Sequence, residues 1–222
     1  MRSLSPTLHQ LPPDAPLSAR IELLSRSLLG RPYLTDPLIG GPEEEERWVD
    51  RADGFDCVTF VETVLAVALR PEAPEEALRA LRYRGGAVSW AERNHYAWDW
   101  FTRNEADGRL LRVLPERWIG ARRTLSLLAG YPAREVALRW LPVDPLAPLD
   151  EAVQTGDLVA FISSREDLDA FHMGLLVQST DGLLLRHASR SRGAVVEQAL
   201  VDFLSDNSTP GVLVARPLPW RT

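Results

Sequence analysis

Hydrophobic positions follow a helical period in the first half of the chain and a strand-like period in the last third. Apolar residues recur every three to four positions within Ala19–Leu29, Gly54–Leu69 and Glu75–Leu81, which is the spacing of helices that bury one face. Gly30 follows the first of these segments and is a residue that commonly ends a helix. The pattern predicts helices in these segments and a further short helix at residues 121–129.

The last third of the chain consists of short apolar runs separated by turn residues, after a proline-rich connector at residues 142–148. Such runs, joined by short connections, predict the strands of an antiparallel sheet or small barrel. The predicted strands are residues 157–163, 171–178, 182–189, 194–198 and 212–216. We therefore expect an α+β fold, with a helical part at about residues 17–140 and a strand part at about residues 150–218.

The first sixteen residues differ in character from the rest of the chain. Pro12, Pro13 and Pro16 disfavour a helix, so residues 1–16 are expected to form an extended arm before a single domain at residues 17–222. No apolar run approaches the length of a membrane span, and the N-terminus lacks the apolar core of a signal peptide. The sequence thus favours a cytoplasmic location, or a periplasmic or cell-envelope one if a signal had been removed.

Composition excludes several classes of protein. The chain has 222 residues, of which 45% are hydrophobic and 25% charged, as is ordinary for a soluble globular protein. A net charge of −6 with scattered arginines argues against nucleic-acid binding, which needs a clustered basic surface. Because Cys57 is the only cysteine, an intramolecular disulfide and a multi-cysteine zinc site are excluded.

Cys57 lies where the second predicted helix begins. Asp56 is placed to cap this helix, and Phe55 before the cap can pack on Phe60 as a hydrophobic staple. Unpaired backbone N–H groups and the helix dipole favour negative charge at such a position, which predicts a thiolate. A lone cysteine more often only fills space in a core, so the reactive interpretation requires a nearby base.

Two histidines could supply that base. His172 and His187 lie on consecutive predicted strands joined by a tight turn at residues 179–182. With an even-length loop, their separation of 15 residues places them on one face of the hairpin, whereas an odd loop or a bulge would split them. They could be metal ligands, although no clear third ligand lies nearby, or a base and its orienting partner. The spacing alone also allows a pair without a catalytic part. His9 lies in the proline-rich arm and is expected to be solvated.

An aromatic segment at residues 93–100 is a candidate substrate-binding site. It combines aromatic rings with charged groups, which suits a saccharide because the sugar's C–H faces stack while its hydroxyls form hydrogen bonds. The same composition would also suit a tryptophan-rich edge of the core. The candidate residues are Arg93, His95, Tyr96 and Trp100.

Several short motifs together carry a resemblance to a known family. They are Gly-Arg-Pro-Tyr at residues 30–33, the block at residues 56–66, Tyr-Arg-Gly-Gly at residues 83–86, residues 93–100, Asn104–Glu105, residues 171–174 and residues 185–189. This set resembles the AmiA-like N-acetylmuramoyl-L-alanine amidases, within the NlpC-type papain-like cysteine peptidases. The resembling segments span roughly residues 20–190, most of the chain.

The resemblance implies a papain-like NlpC-type fold, with the nucleophile at a helix N-terminus packed on the sheet. Cys57, His172 and His187 fall on the family's nucleophile, base and orienting positions, and Tyr33 falls on a tyrosine beside the oxyanion hole. The implied enzyme is a monomer without a cofactor. It would cut the amide between muramic acid and L-alanine in peptidoglycan fragments, with anhydro-muropeptides as the favoured substrate.

Two departures from the family patterns bear on this reading. Arg31 stands where similar sequences often have a small threonine, which puts the details of substrate contact in doubt. Val58–Thr59 replaces the Ser-Gly that follows the cysteine in the broader NlpC pattern, which favours the amidase over an endopeptidase. Two alternatives remain: a D-glutamyl-diaminopimelate endopeptidase of the same superfamily, and a non-catalytic protein that binds wall fragments.

Overall fold

The computed structural model describes residues 2–113, 118–143 and 152–220. The α-helices in these ranges are α1 (Leu17–Ser27), α2 (Cys57–Leu69), α3 (Pro74–Arg82), α4 (Ala97–Ala106) and α5 (Leu200–Asp206). The strands are β1 (Leu110–Arg112), β2 (Ile119–Leu125), β3 (Arg134–Pro142), β4 (Leu158–Ile162), β5 (Ala170–Ser179), β6 (Gly182–Ser189), β7 (Ala194–Ala199) and β8 (Gly211–Pro217). Short 3₁₀ helices occur at Arg2–Gln10, Arg84–Gly86 and Trp90–Glu92.

The strands form one sheet in the order β2-β3-β8-β4-β5-β6-β7, and β1 pairs with β8 beside this path. Each pair of neighbouring strands is antiparallel. The β5–β6 hairpin closes at the pair Ser179 and Gly182, so Thr180 and Asp181 form its two-residue turn. The five strands predicted in the last third and their antiparallel pairing are therefore confirmed.

Each face of the sheet carries its own apolar cluster. The α2-side cluster includes the buried face of α2 together with Met173, Leu175, Ala188 and Val195. The α5-side cluster includes Phe161, Leu176, Leu185, Leu200 and Phe203. Because α2 is buried from Thr59 to Leu69, it is the central helix of the core and holds its first residue firmly against the sheet.

The helical part of the chain is shorter than predicted. Residues 121–129 are not a helix, because Ile119–Leu125 form β2 and pair along their whole length with residues 134–140 of β3. Arg123 and Leu125 are buried while the residues between and around them are more exposed, which is the two-residue period of a strand. The described helical part therefore ends with α4 at Ala106, and strands begin at Leu110.

The prediction that residues 1–16 form an extended arm is also wrong for most of their length. Arg2–Gln10 form a 3₁₀ helix despite Pro6, because Leu4 is buried in the α2-side cluster and the Ser5 hydroxyl donates to the Pro71 carbonyl at 3.0 Å. These contacts with distant residues decide a conformation that local composition does not. Residues 144–148 of the predicted connector lie outside the described residues. Within the described ranges, no helix is both long enough and apolar enough to cross a membrane.

Candidate active site

The start of α2 is built as the sequence predicts. The Thr59 N–H donates to the Asp56 carboxylate at 2.7 Å, and the Asp56 N–H donates to the Thr59 hydroxyl at 3.0 Å. This reciprocal pair satisfies backbone donors that a helix leaves unpaired at its first turn. The Phe55 and Phe60 rings pack edge to face with centroids 6.0 Å apart, which confirms the staple. Together these contacts make Cys57 the first residue of the helix.

The thiol of Cys57 is in a different charge state from the one expected. Burial, reinforced by the neighbouring Asp56 carboxylate, raises the pKa of Cys57 to about 12. Backbone N–H groups, including that of Met173 on β5, oppose this rise in the thiol pKa but do not outweigh it. The unliganded protein therefore favours a neutral thiol rather than the thiolate predicted from the helix N-terminus alone.

His172 and His187 meet on adjacent strands. His172 Nε2 lies 2.6 Å from His187 Nδ1, with the two rings nearly perpendicular at 86°. The β5–β6 register, which pairs Leu175 with Arg186, places the two histidines diagonally on one face when it is continued by three residues. The predicted sharing of a face is confirmed.

Gly174 of the His-x-Gly motif lies between these two strands. A Cβ atom at this position would come within 2.9 Å of the Arg186 carbonyl oxygen and 3.0 Å of His187 Cβ. Any larger residue would therefore push β6 away and separate the histidines. The glycine is explained by this close approach.

Aromatic residues of the α5-side cluster bury the histidine pair. The His172 ring stacks on Phe203 of α5 and on Phe161 of β4, at centroid distances of 5.4 and 6.1 Å. An irregularity in the β4–β5 pairing leaves Phe171 outside the register directly before His172, as β-bulges near functional sites often do. Burial lowers the pKa of His172 to about 3 and that of His187 to about 4, so both imidazoles are favoured in their neutral form.

The structure places Cys57 near the strand that carries His172, but the thiol forms no hydrogen bond with the histidine pair. The thiol contacts the backbone of Met173, the residue that follows His172. The imidazole of His172 lies on the face of the α5-side cluster, whereas α2 packs on the other face of the sheet. Among the described residues, His172 forms a hydrogen bond with His187, and no hydrogen bond links Cys57 to His172.

Tyr33 is held next to Cys57 by backbone pairing. Residues 30–33 run along the edge strand β7: the Gly30 N–H donates to Val195 O at 2.9 Å, and the Tyr33 N–H donates to Gly193 O at 2.8 Å. Tyr33 also forms a parallel bridge with Phe55, two residues before Cys57. Burial raises the pKa of the Tyr33 hydroxyl, with further contributions from the charges of Cys57 and Asp56. The hydroxyl therefore lies in the electrostatic environment of the thiol.

Two residues of the aromatic segment face a cavity beside the start of α2. This first cavity has a volume of about 350 Å³, and Arg93 and His95 line it together with Asp56 and Val58, the residues on either side of Cys57. His95 Nε2 lies 2.7 Å from the Trp90 carbonyl oxygen, and burial lowers the pKa of this histidine to about 4. Both residues are thus placed where a substrate could reach them.

The other two residues of the segment lie in the core. Tyr96 is 4% exposed, and its hydroxyl accepts a hydrogen bond from the Leu128 N–H at 3.2 Å. Trp100 is 1% exposed, and its Nε1–H donates at 3.1 Å to Glu62, which also pairs with Arg82. For these two residues the core interpretation applies instead of contact with a substrate.

Comparison with known proteins places the chain in a family. The family described as AmiA-like, N-acetylmuramoyl-L-alanine amidase-like, matches residues 23–212. The chain belongs to this AmiA-like family. Membership points to an amidase-like hydrolase that acts on a peptidoglycan-type substrate. A search among curated proteins gives no match for this AmiA-like chain.

Solved structures are similar to the AmiA-like chain over nearly its whole length. An N-acetylmuramoyl-L-alanine amidase from Bacteroides uniformis is 27% identical with a TM-score of 0.79, covering 90% of this chain and 98% of its own. A Legionella pneumophila protein has a TM-score of 0.82 at 23% identity, covering 98% of this chain and 93% of its own, which shows a shared fold. The mixed α/β architecture with its antiparallel sheet is thus common to this chain and amidase-like proteins.

A second cavity of this AmiA-like protein contains residues that the sequence analysis missed. It has a volume of about 540 Å³ and lies on the side of His172 and His187. Its other lining residues include Gln198 on β7 and Arg190 and Arg192 in the turn after β6. The alternating serines and arginines at residues 189–192, directly after His187, were the available signal for this positively charged turn.

Proposed function

We propose that the protein is a cysteine amidase that hydrolyses the N-acetylmuramoyl-L-alanine bond of peptidoglycan fragments, with anhydro-muropeptides as the preferred substrates. The observation that carries the proposal is the position of Cys57 at a capped helix start, beside the strand that bears the hydrogen-bonded His172–His187 pair. Family membership supplies the substrate class. We also propose that the fold is a papain-like fold of the NlpC type, since a nucleophile at a helix start facing a histidine-bearing sheet is its defining arrangement.

Each member of the triad has a distinct role in this proposal. His172 uses Nε2 to contact His187, which leaves its Nδ1 available to accept the Cys57 proton. Because both groups rest in neutral form, His172 acts as a general base while the sulfur attacks, instead of storing a thiolate and an imidazolium. Because the two side chains start on different faces of the sheet, substrate binding must also rearrange the irregular start of β5 so that His172 reaches the sulfur. Catalytic hydrogen bonds often form fully only with substrate present.

The chemistry then proceeds in two stages. The sulfur bonds to the amide carbonyl carbon, and the proton taken by His172 passes to the leaving L-alanine nitrogen as the carbon–nitrogen bond breaks. A water molecule, deprotonated by His172, next attacks the thioester carbonyl and releases the muramic acid carboxylate and the thiol. His187 holds the imidazole of His172 in a fixed orientation during both stages.

Two donors are available for the negative oxygen of the tetrahedral intermediate. The backbone N–H of Cys57 lies in the first turn of α2, where helix N–H groups have no partner within the helix. The hydroxyl of Tyr33 lies in the same electrostatic environment as the thiol. Preorganised donors of this kind stabilise charge that develops only in the transition state.

In this proposal the two cavities bind different parts of the substrate. Asp56 and Val58 line the first cavity, whereas His172 and His187 line the second, so a substrate that crosses the site would occupy both. We assign the disaccharide to the first cavity, where His95 contacts the ring of Trp90. We assign the acidic stem peptide to the second, because Arg190 and Arg192 suit its carboxylates.

Digestion of a defined anhydro-disaccharide–peptide, followed by mass spectrometry, tests the proposed function. We expect intact disaccharide and intact stem peptide as the products, and a poor rate with free stem peptide because sugar binding no longer positions the amide. A disaccharide that still carries L-Ala-D-Glu would instead identify the D-glutamyl-diaminopimelate endopeptidase. Binding without any product would identify a non-catalytic wall-fragment binder.

A further inference from the structure

One nitrogen of the histidine pair lacks a partner that satisfies hydrogen-bond geometry. His187 is 2% exposed, and its Nε2 is a buried atom with no hydrogen bond in the structure. Its other ring nitrogen, Nδ1, is occupied by His172 at 2.6 Å. A buried N–H or lone pair without a partner is costly, so a neighbouring group is expected to serve this nitrogen.

The proton on that nitrogen decides whether His172 can act as a base. If His172 Nε2–H donates to His187 Nδ1, then His172 Nδ1 is unprotonated and His187 carries its proton on Nε2. If His187 Nδ1–H donates instead, His172 carries its proton on Nδ1 and cannot accept another there while neutral. Only the first tautomer suits the proposed reaction, and it requires an acceptor opposite His187 Nε2.

Gln198 is the residue that the sheet places at this point. The β6–β7 register pairs His187 with Val196 and Leu185 with Gln198, so Gln198 lies diagonally next to His187 on the same face. His172, His187 and Gln198 therefore form a diagonal row across β5, β6 and β7, and all three line the second cavity. The Gln198 side chain is close enough for a hydrogen bond to raise the pKa of His187, against the larger effect of burial.

We propose that Gln198 is a positioning residue whose side-chain oxygen accepts the proton of His187 Nε2–H and thereby holds the pair in the reactive tautomer. The inference rests on the proposed roles of Cys57 and His172, but it does not depend on which amide bond is cut. A neutral acceptor suits this position because it fixes the tautomer without adding charge. A carboxylate would fix the same tautomer while favouring a protonated imidazole.

Nitrogen-15 NMR of the full chain with labelled histidine reads the tautomers directly. In the wild type, both His172 and His187 are expected to carry their proton on Nε2. Gln198→Met, which keeps the length but removes the acceptor, should shift the pair toward the Nδ1–H form. Gln198→Glu should keep the Nε2–H form and raise the apparent pKa of the pair.

The matched control is Gln178→Met on β5. Gln178 donates to the Val153 carbonyl at 2.9 Å, so this variant also loses one glutamine hydrogen bond in the same sheet without touching the histidines. It should leave both tautomers and the pH profile unchanged. Thermal unfolding of both variants separates loss of the tautomer from loss of the fold.

The tautomer measurement does not require the substrate assignment to be correct. On the muropeptide, we expect Gln198→Met to lower kcat/KM by about tenfold to a hundredfold. Gln198→Glu should shift the acidic limb of the kcat/KM profile to higher pH. If the wild type shows both Nε2–H tautomers but does not cut the muropeptide, the proposed function fails while this inference stands. If His187 carries its proton on Nδ1 in the wild type, or Gln198→Met changes neither tautomer nor pH profile, the inference is refuted.

Discussion

At the residue scale, burial has more influence on the site than the helix position of the nucleophile. A helix N-terminus lowers a thiol pKa, but here desolvation and Asp56 act in the opposite direction and prevail. Burial also lowers the pKa of His172 and keeps its imidazole unprotonated, so that it can accept a proton. In the proposed mechanism, Cys57 and His172 are therefore neutral at rest and become charged only during attack, which can be tested by experiment.

Replacing Cys57 should abolish hydrolysis without unfolding the protein. Cys57→Ser should lower kcat/KM by roughly a thousandfold or more, because the hydroxyl is a far weaker nucleophile at this position. The melting temperature and the affinity for a muropeptide should stay near those of the wild type. Cys57→Ala serves as the control for complete loss of a nucleophile, and turnover by the Ser variant at the wild-type rate would rule out thiol catalysis.

Alkylation by iodoacetamide reports the resting charge of Cys57. With its pKa raised to about 12, the thiolate fraction should increase about tenfold per pH unit between pH 7 and 10, and the alkylation rate should follow. A resting thiolate would instead give a rate that is flat over this range. EDTA should leave enzyme activity unchanged, and a loss that zinc restores would favour the alternative in which the histidines bind a metal.

At the scale of elements, the cap of α2 connects stability with reactivity. The Asp56 carboxylate accepts from the Thr59 N–H and at the same time raises the pKa of the adjacent thiol. The cap places the nucleophile accurately, while its charge holds the sulfur in its neutral form. Two substitutions of the same residue can separate these effects.

Asp56→Asn keeps an acceptor for Thr59 but removes the charge, whereas Asp56→Ala removes both. Urea unfolding should show a loss of about 1 kcal/mol for the Ala variant and only a few tenths for the Asn variant. Alkylation of Cys57 should become faster in Asp56→Asn because the thiol pKa falls. Equal stabilities for the two variants would mean that the cap contributes little.

At the scale of the whole molecule, several buried histidines make stability depend on pH. Burial lowers the pKa of His95, His172 and His187 to about 4, 3 and 4, below the unfolded value of 6.5. Their contribution is therefore fully present above pH 6.5 and is lost as the pH falls from there toward 4, since the unfolded chain binds protons that the fold excludes. Asp169 acts in the opposite sense, because burial raises its pKa to about 6 from 3.8.

Urea unfolding between pH 7 and 4.5 should accordingly show decreasing stability. Each excluded proton contributes a slope of about 1.4 kcal/mol per pH unit. His95→Gln should reduce this slope, since one buried imidazole is removed, and the exposed His9→Gln is the matched control. A slope that His95→Gln leaves unchanged would show that His95 becomes protonated within the folded protein.

Local sequence patterns determined the helix that begins at Cys57 and the shared face of His172 and His187. Capping residues act within one turn, and strand alternation together with a two-residue hairpin fixes which side chains are neighbours, so both features can be derived from short segments. Tertiary structure alone decided that residues 119–125 pair as β2, that Tyr96 and Trp100 enter the core, and that Gln198 lies beside His187. It also decided the charge states of Cys57 and the histidines, because burial and long-range pairing depend on which distant elements pack together, and no local period records that.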